Sequence, residues 1–508
     1  MRSRGLVVLA VLVGATLVIG LFSLWRVHGA EARRSPQDIA DAYFAAWGSG
    51  DLEAMRALVD GPPADFAEQH RALSRGLTVT WVRLEPRPVV QSGADGARAD
   101  FTVTRGIAYH GEWRFRSALR LVRADDRWRV SWTPSTLYPG TRTGGTWALK
   151  QVEVPAVTLT ARDGEPLAKD GTLEPYVSAL ADRLGDEDAG GDGWAVELTE
   201  RGAPPRRVKL FGVKDGRKIK TTIDRRMQAA AEKAVEGSGR QAALVAIRPG
   251  TGEVLAVADG LGGLGAFIGM YPPGSTFKAV TAGALLAGGA GPGTGADCPA
   301  QVVTAQRTIR NHDGESLGRT DLRNAFAQSC NTTFSRLAVE GLGAARLGES
   351  ARRFGFGADL APGVQAATGS FPVPESGAEL AEAAIGQGRV LASPLLMASV
   401  AAAVRDGTWR APRLVAAKLI DEDRPAPRAV PGAAALRTMM RAVVAEGTAA
   451  GAGLPPGTAG KTGTAEFGGG GSHAWFIGYK GDVAFAVLVP DGGSGPKVAA
   501  PLAARFLR

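Results

Sequence analysis

The sequence predicts a multidomain α+β protein behind a single apolar N-terminal span. Three observations carry this. The chain has 508 residues, enough for about three domains. Hydrophobic residues make up 45% and charged residues 21%, a globular balance. The hydrophobic period also changes along the chain, from one uncharged run to helical stripes and alternating segments, and it sharpens again from Thr221.

The first element is the run at residues 5–25, which carries no charge. As a helix it measures about 31 Å, the thickness of a hydrocarbon core, with Trp25 at the interface. It exceeds the apolar core of an ordinary signal peptide, although Ala30-Glu31-Ala32 offers a small-residue cleavage site. We expect an anchor over residues 1–34. No Cys follows it, which argues against a lipoprotein. Arg2 and Arg4 before the run and Arg26, Arg33 and Arg34 after it leave the charge count for orientation undecided.

Residues 35–145 read as a small α+β cone. Ser35-Pro36 starts a helix with the stripe Ile39, Tyr43, Phe44 and Trp47, and Asp51 caps a second one. Alternating segments follow at 77–84, 99–107, 112–122 and 128–132, with Asp125-Asp126 as a turn. Residues 146–215 are weakly periodic, with Gly and Pro breakers, and read as a linker or pedestal. From 216 to 508 the pattern sharpens. A helix at 224–235 is followed by strands at 242–247 and 253–258, then by an Ala-rich helical region. Strands return at 457–466, 474–479 and 483–489 before a closing helix at 499–507. The expected architecture is a five-stranded antiparallel sheet made from both ends of the domain, with helices inserted between.

Composition removes several function classes. Two cysteines exclude a disulfide scaffold or a four-cysteine zinc site. Five histidines without a His-Glu-x-x-His motif argue against a zinc hydrolase, and no metal or cofactor is expected. The net charge of +9 calls for a nucleic-acid check. The densest basic stretch, 206–220, has neither zinc-finger spacing nor heptads, and Phe211 is its only aromatic; no nucleic-acid partner is expected. A basic chain also suits an anionic membrane or wall surface.

Three short motifs carry the chemistry: Ser275-Thr276-Phe277-Lys278, Ser329-Cys330-Asn331 and Lys461-Thr462-Gly463-Thr464. Random placement yields about 0.5, about 0.13 and about 0.1 of the respective patterns, so the first alone is weak and the trio is not. A second Ser-x-x-Lys, Ser494-Gly495-Pro496-Lys497, is broken by Pro and Gly. Ser275 follows Pro-Pro-Gly and opens a helical run, which puts Ser275 and Lys278 on one face. A serine hydroxyl becomes a nucleophile when a base takes its proton. Lys278 can do so only as a neutral amine, which burial and a second cation at Lys461 favour. Ser329 is placed to relay a proton, and Asn331 to hold Lys278 and a substrate amide. Lys461, Thr462 and Thr464 are placed to bind a carboxylate, and the backbone from Lys461 through Gly463 to Thr464 lies on a strand edge that can pair with an extended peptide substrate. Backbone N–H groups of Ser275 and Thr464 are the candidate oxyanion donors.

This trio is a known signature of serine penicillin-recognising enzymes, and residues 216–508 resemble class B penicillin-binding proteins. Thr221-Thr222-Ile223-Asp224, residues 251–256, Ile385-Gly386-Gln387-Gly388 with Ser393-Pro394, and residues 473–478 extend the likeness. Residues 35–145, through Trp128 to Ser135, resemble the nuclear-transport-factor-two-like domain of some Gram-positive members. The resemblance implies an extracytoplasmic, single-pass D,D-transpeptidase that attacks D-Ala-D-Ala of a peptidoglycan stem peptide through Ser275 and is acylated by β-lactams. It also implies nascent glycan strands as substrate and a multi-span glycosyltransferase as partner. A serine β-lactamase is the alternative, but residues 363–368 hold no Glu, and Glu375, Glu379 and Glu382 come later. A non-catalytic β-lactam sensor or scaffold is a further alternative; no motif residue is lost. Cys298 and Cys330 either pair, tying the segment before Arg310 to the wall that carries Ser329, or remain buried thiols.

Overall fold

The computed structural model describes residues 34–185, 190–420, 424–468 and 470–508. The expected span at 5–25 lies outside the described residues. Among the described residues no helix is long and apolar enough to cross a membrane. The chain forms two compact units: residues up to Lys150 with Trp194–Phe211, and Gln151–Gly193 with Gly212–Arg508. The stretch expected as a linker or pedestal, 146–215, is therefore divided between them.

In the first unit, helix α1 (Pro36–Ser49) starts at a capping box. The Ser35 hydroxyl accepts from the Asp38 N–H at 3.2 Å, and the Asp38 carboxylate accepts from the Ser35 N–H at 2.8 Å. Gly50, at φ +76°, ends it in the left-handed conformation that glycine adopts without strain. Asp51 caps α2 (Leu52–Ala57) through the Ala54 N–H. Helix α3 (Phe66–Gly76) was not expected; Phe66, His70 and Leu73 mark its inner face. Strands β1 (Val79–Pro86), β2 (Val90–Gln91), β3 (Gly96–Ile107), β4 (Gly111–Ala124) and β5 (Arg127–Val130) form one antiparallel sheet. Ala97, Ala99, Phe101 and Val103 alternate inward along β3 and meet Tyr43, Phe44 and Trp47 in one core. Trp194–Leu198 pairs with 206–211 in the same unit.

In the second unit, β6 (Val157–Thr160) pairs in parallel with β7 (Arg217–Lys220). Asp224 caps helix α4 (Arg225–Glu236), which packs on a five-stranded sheet. That sheet comprises β8 (Ala243–Arg248), β9 (Glu253–Asp259), β10 (Ala459–Glu466), β11 (Ser472–Lys480) and β12 (Val483–Val489) in the order β9-β8-β12-β11-β10, all antiparallel. Both sequence ends of the unit supply it, as expected. Strands β8, β9 and β12 are almost wholly buried, which explains why they read as largely apolar runs. β10 stands at the sheet edge. The helices between β9 and β10 pack on the sheet around one apolar core.

Candidate active site

Ser275 lies in a short 3-10 turn, Gly274–Phe277, and helix α5 (Lys278–Ala287) continues from it. The sequence reading began a regular helix at Ser275. A 3-10 turn instead eclipses residues i and i+3, which sets the Lys278 amine 3.0 Å from the Ser275 hydroxyl. The turn is held from three sides. Trp475 on β11 donates its indole N–H to the Pro272 carbonyl at 2.9 Å. The Thr276 hydroxyl donates to the Pro273 carbonyl. The Gly274 N–H donates to the Gly386 carbonyl at 2.9 Å. β10 presses on the same turn at Gly463, where a Cβ would stand 2.8 Å from Thr276 Cγ2 and 2.9 Å from the Pro273 carbonyl oxygen. A side chain there would push the strand off the nucleophile turn.

Ser329 sits between helix α6 (Leu322–Ala327) and helix α7 (Asn331–Leu337), in the left-handed conformation at φ +61°. Such a backbone costs a non-glycine residue about 1–3 kcal/mol. Here it turns both the carbonyl and the hydroxyl of Ser329 onto Lys278, at 2.6 and 3.2 Å. Asn331 Oδ1 accepts from the same amine at 2.7 Å, while its Nδ2 donates to the Arg310 carbonyl at 3.0 Å, which fixes the amide orientation. Lys461 reaches in from β10 and donates to the Ser329 hydroxyl at 2.9 Å and to the Thr462 carbonyl at 3.1 Å. The structure thus brings Ser275, Lys278, Ser329, Asn331 and Lys461 into one hydrogen-bonded cluster.

Both amines are fully buried. Burial, and then the charge of Lys461, hold Lys278 well below the usual lysine range. Burial brings Lys461 down to about 7. Among the described residues no carboxylate hydrogen-bonds to the cluster. A neutral lysine amine has two hydrogens and one lone pair. The two shortest contacts of Lys278 are pure acceptors, the Ser329 carbonyl and Asn331 Oδ1. In the neutral amine these two acceptors can take both hydrogens, which frees the lone pair for the Ser275 hydroxyl.

Thr462 and Thr464 stand on β10 but are engaged within the chain. Thr462 is 2% exposed, and its hydroxyl shares a hydrogen bond of 2.6 Å with the Thr448 hydroxyl. The Thr464 hydroxyl accepts from the Gly495 N–H at 3.2 Å. Thr448 was missed by sequence reasoning: it stands alone, 13 residues before Lys461, with no motif to signal it. The second Ser-x-x-Lys, 494–497, forms a turn closed by the Lys497 N–H on the Ser494 carbonyl, not a helix. Cys298 and Cys330 form a disulfide with Cα atoms 6.1 Å apart, next to Ser329.

The penicillin-binding protein transpeptidase domain matches residues 242–508, which holds every residue of this cluster. The chain belongs to the penicillin-binding protein transpeptidase family. The NTF2-like N-terminal transpeptidase domain matches residues 35–144. Among relatives, the peptidoglycan D,D-transpeptidase PbpA of Mycobacterium tuberculosis (strain H37Rv) is 32% identical over 360 residues, covering 56% of this chain and 71% of that protein. Two solved structures of the family align with it. The D,D-transpeptidase domain of a peptidoglycan glycosyltransferase from Eggerthella lenta has TM-score 0.55 and 26% identity, over 70% of this chain and 97% of that one. The penicillin G acyl-enzyme complex of penicillin-binding protein A from M. tuberculosis has TM-score 0.51 and 28% identity, over 58% and 80%.

Proposed function

We propose that this member of the penicillin-binding protein transpeptidase family is a D,D-transpeptidase that cross-links peptidoglycan stem peptides through an acyl-enzyme on Ser275. The observation that carries the reading is the buried amine of Lys278, shifted toward its neutral form, 3.0 Å from the Ser275 hydroxyl. Lys278 takes the hydroxyl proton as Ser275 Oγ attacks the carbonyl carbon of the penultimate D-Ala. The oxyanion is received by the backbone N–H groups of Ser275 and Thr464. Ser329, bridging Lys278 and Lys461, hands the proton to the leaving amine, and D-Ala departs. The acceptor amine of a second stem peptide then attacks the ester and regenerates the Ser275 hydroxyl. A β-lactam places its amide and carboxylate in the same positions, with Lys461 and Thr462 on the carboxylate side.

We further propose that residues 5–25 anchor the chain in the membrane, with the catalytic unit outside the cell. The lipid-linked precursors are polymerised by a separate multi-span glycosyltransferase. Labelling of the full chain with a fluorescent penicillin tests the assignment. Wild type takes up the label covalently and Ser275→Ala takes up none; labelling that persists in Ser275→Ala overturns the reading.

A further inference from the structure

Lys461 is fully buried, yet the reaction proposed above needs it charged. The elements packed on it hold nothing anionic. β10 is packed chiefly by β11, by the helix Ala433–Ala445 and by the Ser275 turn. The ionisable side chains on these elements are His473, Tyr479 and Lys480, then Arg437 and Arg441, and Lys278 where α5 leaves the turn; none is a carboxylate. His473 stacks on Phe467 and accepts from the Asp491 N–H at 3.2 Å. Arg437 donates to the Val404 carbonyl and Arg441 to the Thr438 hydroxyl. Tyr479 lies near the arginines, and Glu446, just past that helix, pairs with Arg323. Lys278 meets Lys461 through the Ser329 hydroxyl, and a second amine repels a charge rather than offsetting it.

What does face the amine is a ring. Phe326 on α6 is 0% exposed, and Lys461 Nζ lies over its ring, 5.5 Å from the centre. Phe334 on α7 stands edge-to-face against it, with centres 6.0 Å apart. The two helices that hold Ser329 between them therefore bring an aromatic pair beneath the site. A ring face is the negative pole of the aromatic quadrupole, and it attracts a cation most strongly where water is excluded. A lysine ammonium has three hydrogens and accepts none. The Ser329 hydroxyl at 2.9 Å and the Thr462 carbonyl at 3.1 Å accept two, and the Phe326 face is left for the third. A neutral amine gains little from that face, so the ring favours the charged form against the burial that disfavours it.

We propose that Phe326 is a positioning residue of the acylation site: its ring face fills the place of a carboxylate and keeps Lys461 a cation, ready for the carboxylate of the substrate or of the β-lactam. An aliphatic side chain of similar bulk would fill the same space and leave the charge unsupported. The inference rests on the acylation reading given above.

The test uses the full chain in detergent, with Phe326 replaced site-specifically by its mono-, di- and trifluorinated analogues. These keep the shape of the ring and drain its face of negative charge. The second-order rate constant of penicillin acylation is measured against pH. Each fluorine should move the alkaline limb of the profile to lower pH, by about one unit in total, and the rate constant at pH 8 should fall stepwise to about a tenth. The plateau below that limb should stay as in the wild type, whereas a merely loosened site lowers the rate at every pH. Phe326→Leu removes the ring and should move the limb as far; the fluorinated series decides alone if that variant does not fold. Identical alkaline limbs across the series, or a fall that is uniform in pH, overturn the proposal while the penicillin label on Ser275 stands. A wild type that takes up no label overturns the acylation reading itself, and this inference with it.

Discussion

Lys278 and Lys461 share one hydrogen-bond partner: the Ser329 hydroxyl stands 3.2 Å from the first amine and 2.9 Å from the second. Two buried amines on one oxygen cannot both keep their protons cheaply, so the pair divides the labour into one base and one cation.

That division fixes the sign of the pH dependence. Burial, and then the charge of Lys461, shift Lys278 downward toward the neutral amine that a base requires. Lys461 loses its charge as pH rises through about 7, and with it the attraction for the β-lactam carboxylate. The second-order rate constant for penicillin acylation, which reports on the free enzyme, should fall several-fold between about pH 7 and pH 9. A profile that is flat or rising over that interval would refute the assignment of Lys461 as the cation.

Thr448 should act through Thr462. Their 2.6 Å contact fixes the Thr462 hydroxyl at the edge strand. Thr448→Val keeps the shape and removes the hydrogen bond, worth about 1 kcal/mol. Capture of penicillin should weaken about fivefold, with the limiting acylation rate nearly unchanged. Saturation kinetics separate the two quantities; an unchanged apparent dissociation constant removes Thr448 from the site.

The acyl adduct should be long-lived. Hydrolysis needs a base to activate a water; of the three carboxylates that follow residues 363–368, Glu379 pairs with Arg389, Glu382 pairs with Arg307, and Glu375 is exposed. Intact mass after a short penicillin pulse should show the adduct persisting for many acylation half-times. Lys278→Ala should slow its formation by a factor of about 10²–10⁴. Rapid return to the unmodified mass would mean that a water-activating group exists and that the protein is a β-lactamase.

The disulfide between Cys298 and Cys330 should be measurable as an intact mass two hydrogens below that of the reduced chain. Replacing both cysteines by Ser should cost about 2–4 kcal/mol of stability. It should also slow acylation, because the bridge braces the strained Ser329 turn. Two free thiols in protein purified without reductant would contradict the pairing.

Much of this was legible in the sequence, for physical reasons that differ by element. Ser35 and Asp51 announced their helices because caps are local chemistry. Strands β8, β9 and β12 announced themselves because a strand buried on both faces is mostly apolar, whereas β10 was found through its Lys-Thr-Gly motif. Helix α3 escaped because His70 interrupts its inner stripe, although Phe66 and Leu73 keep the helical spacing. The motif residues were legible as a set; the left-handed backbone of Ser329 was not, since serine carries no preference for it. Thr448 meets Thr462 only in three dimensions, and no spacing along the chain reports it.

The strand pairing carries a consequence for the order of events during folding. Ala243 on β8 pairs with Leu488 on β12, so a central strand waits for a neighbour about 245 residues further along the chain, a contact of high order and slow closure. Until then β8 presents an open, apolar edge, the kind that recruits the wrong strand. Ser275 and Lys278 are made early, whereas Lys461 arrives with the late strands. A chain arrested between them would carry the nucleophile and its base without the second cation that tunes them. On the proposed mechanism, such a chain should stay unlabelled by penicillin until its last strands are home.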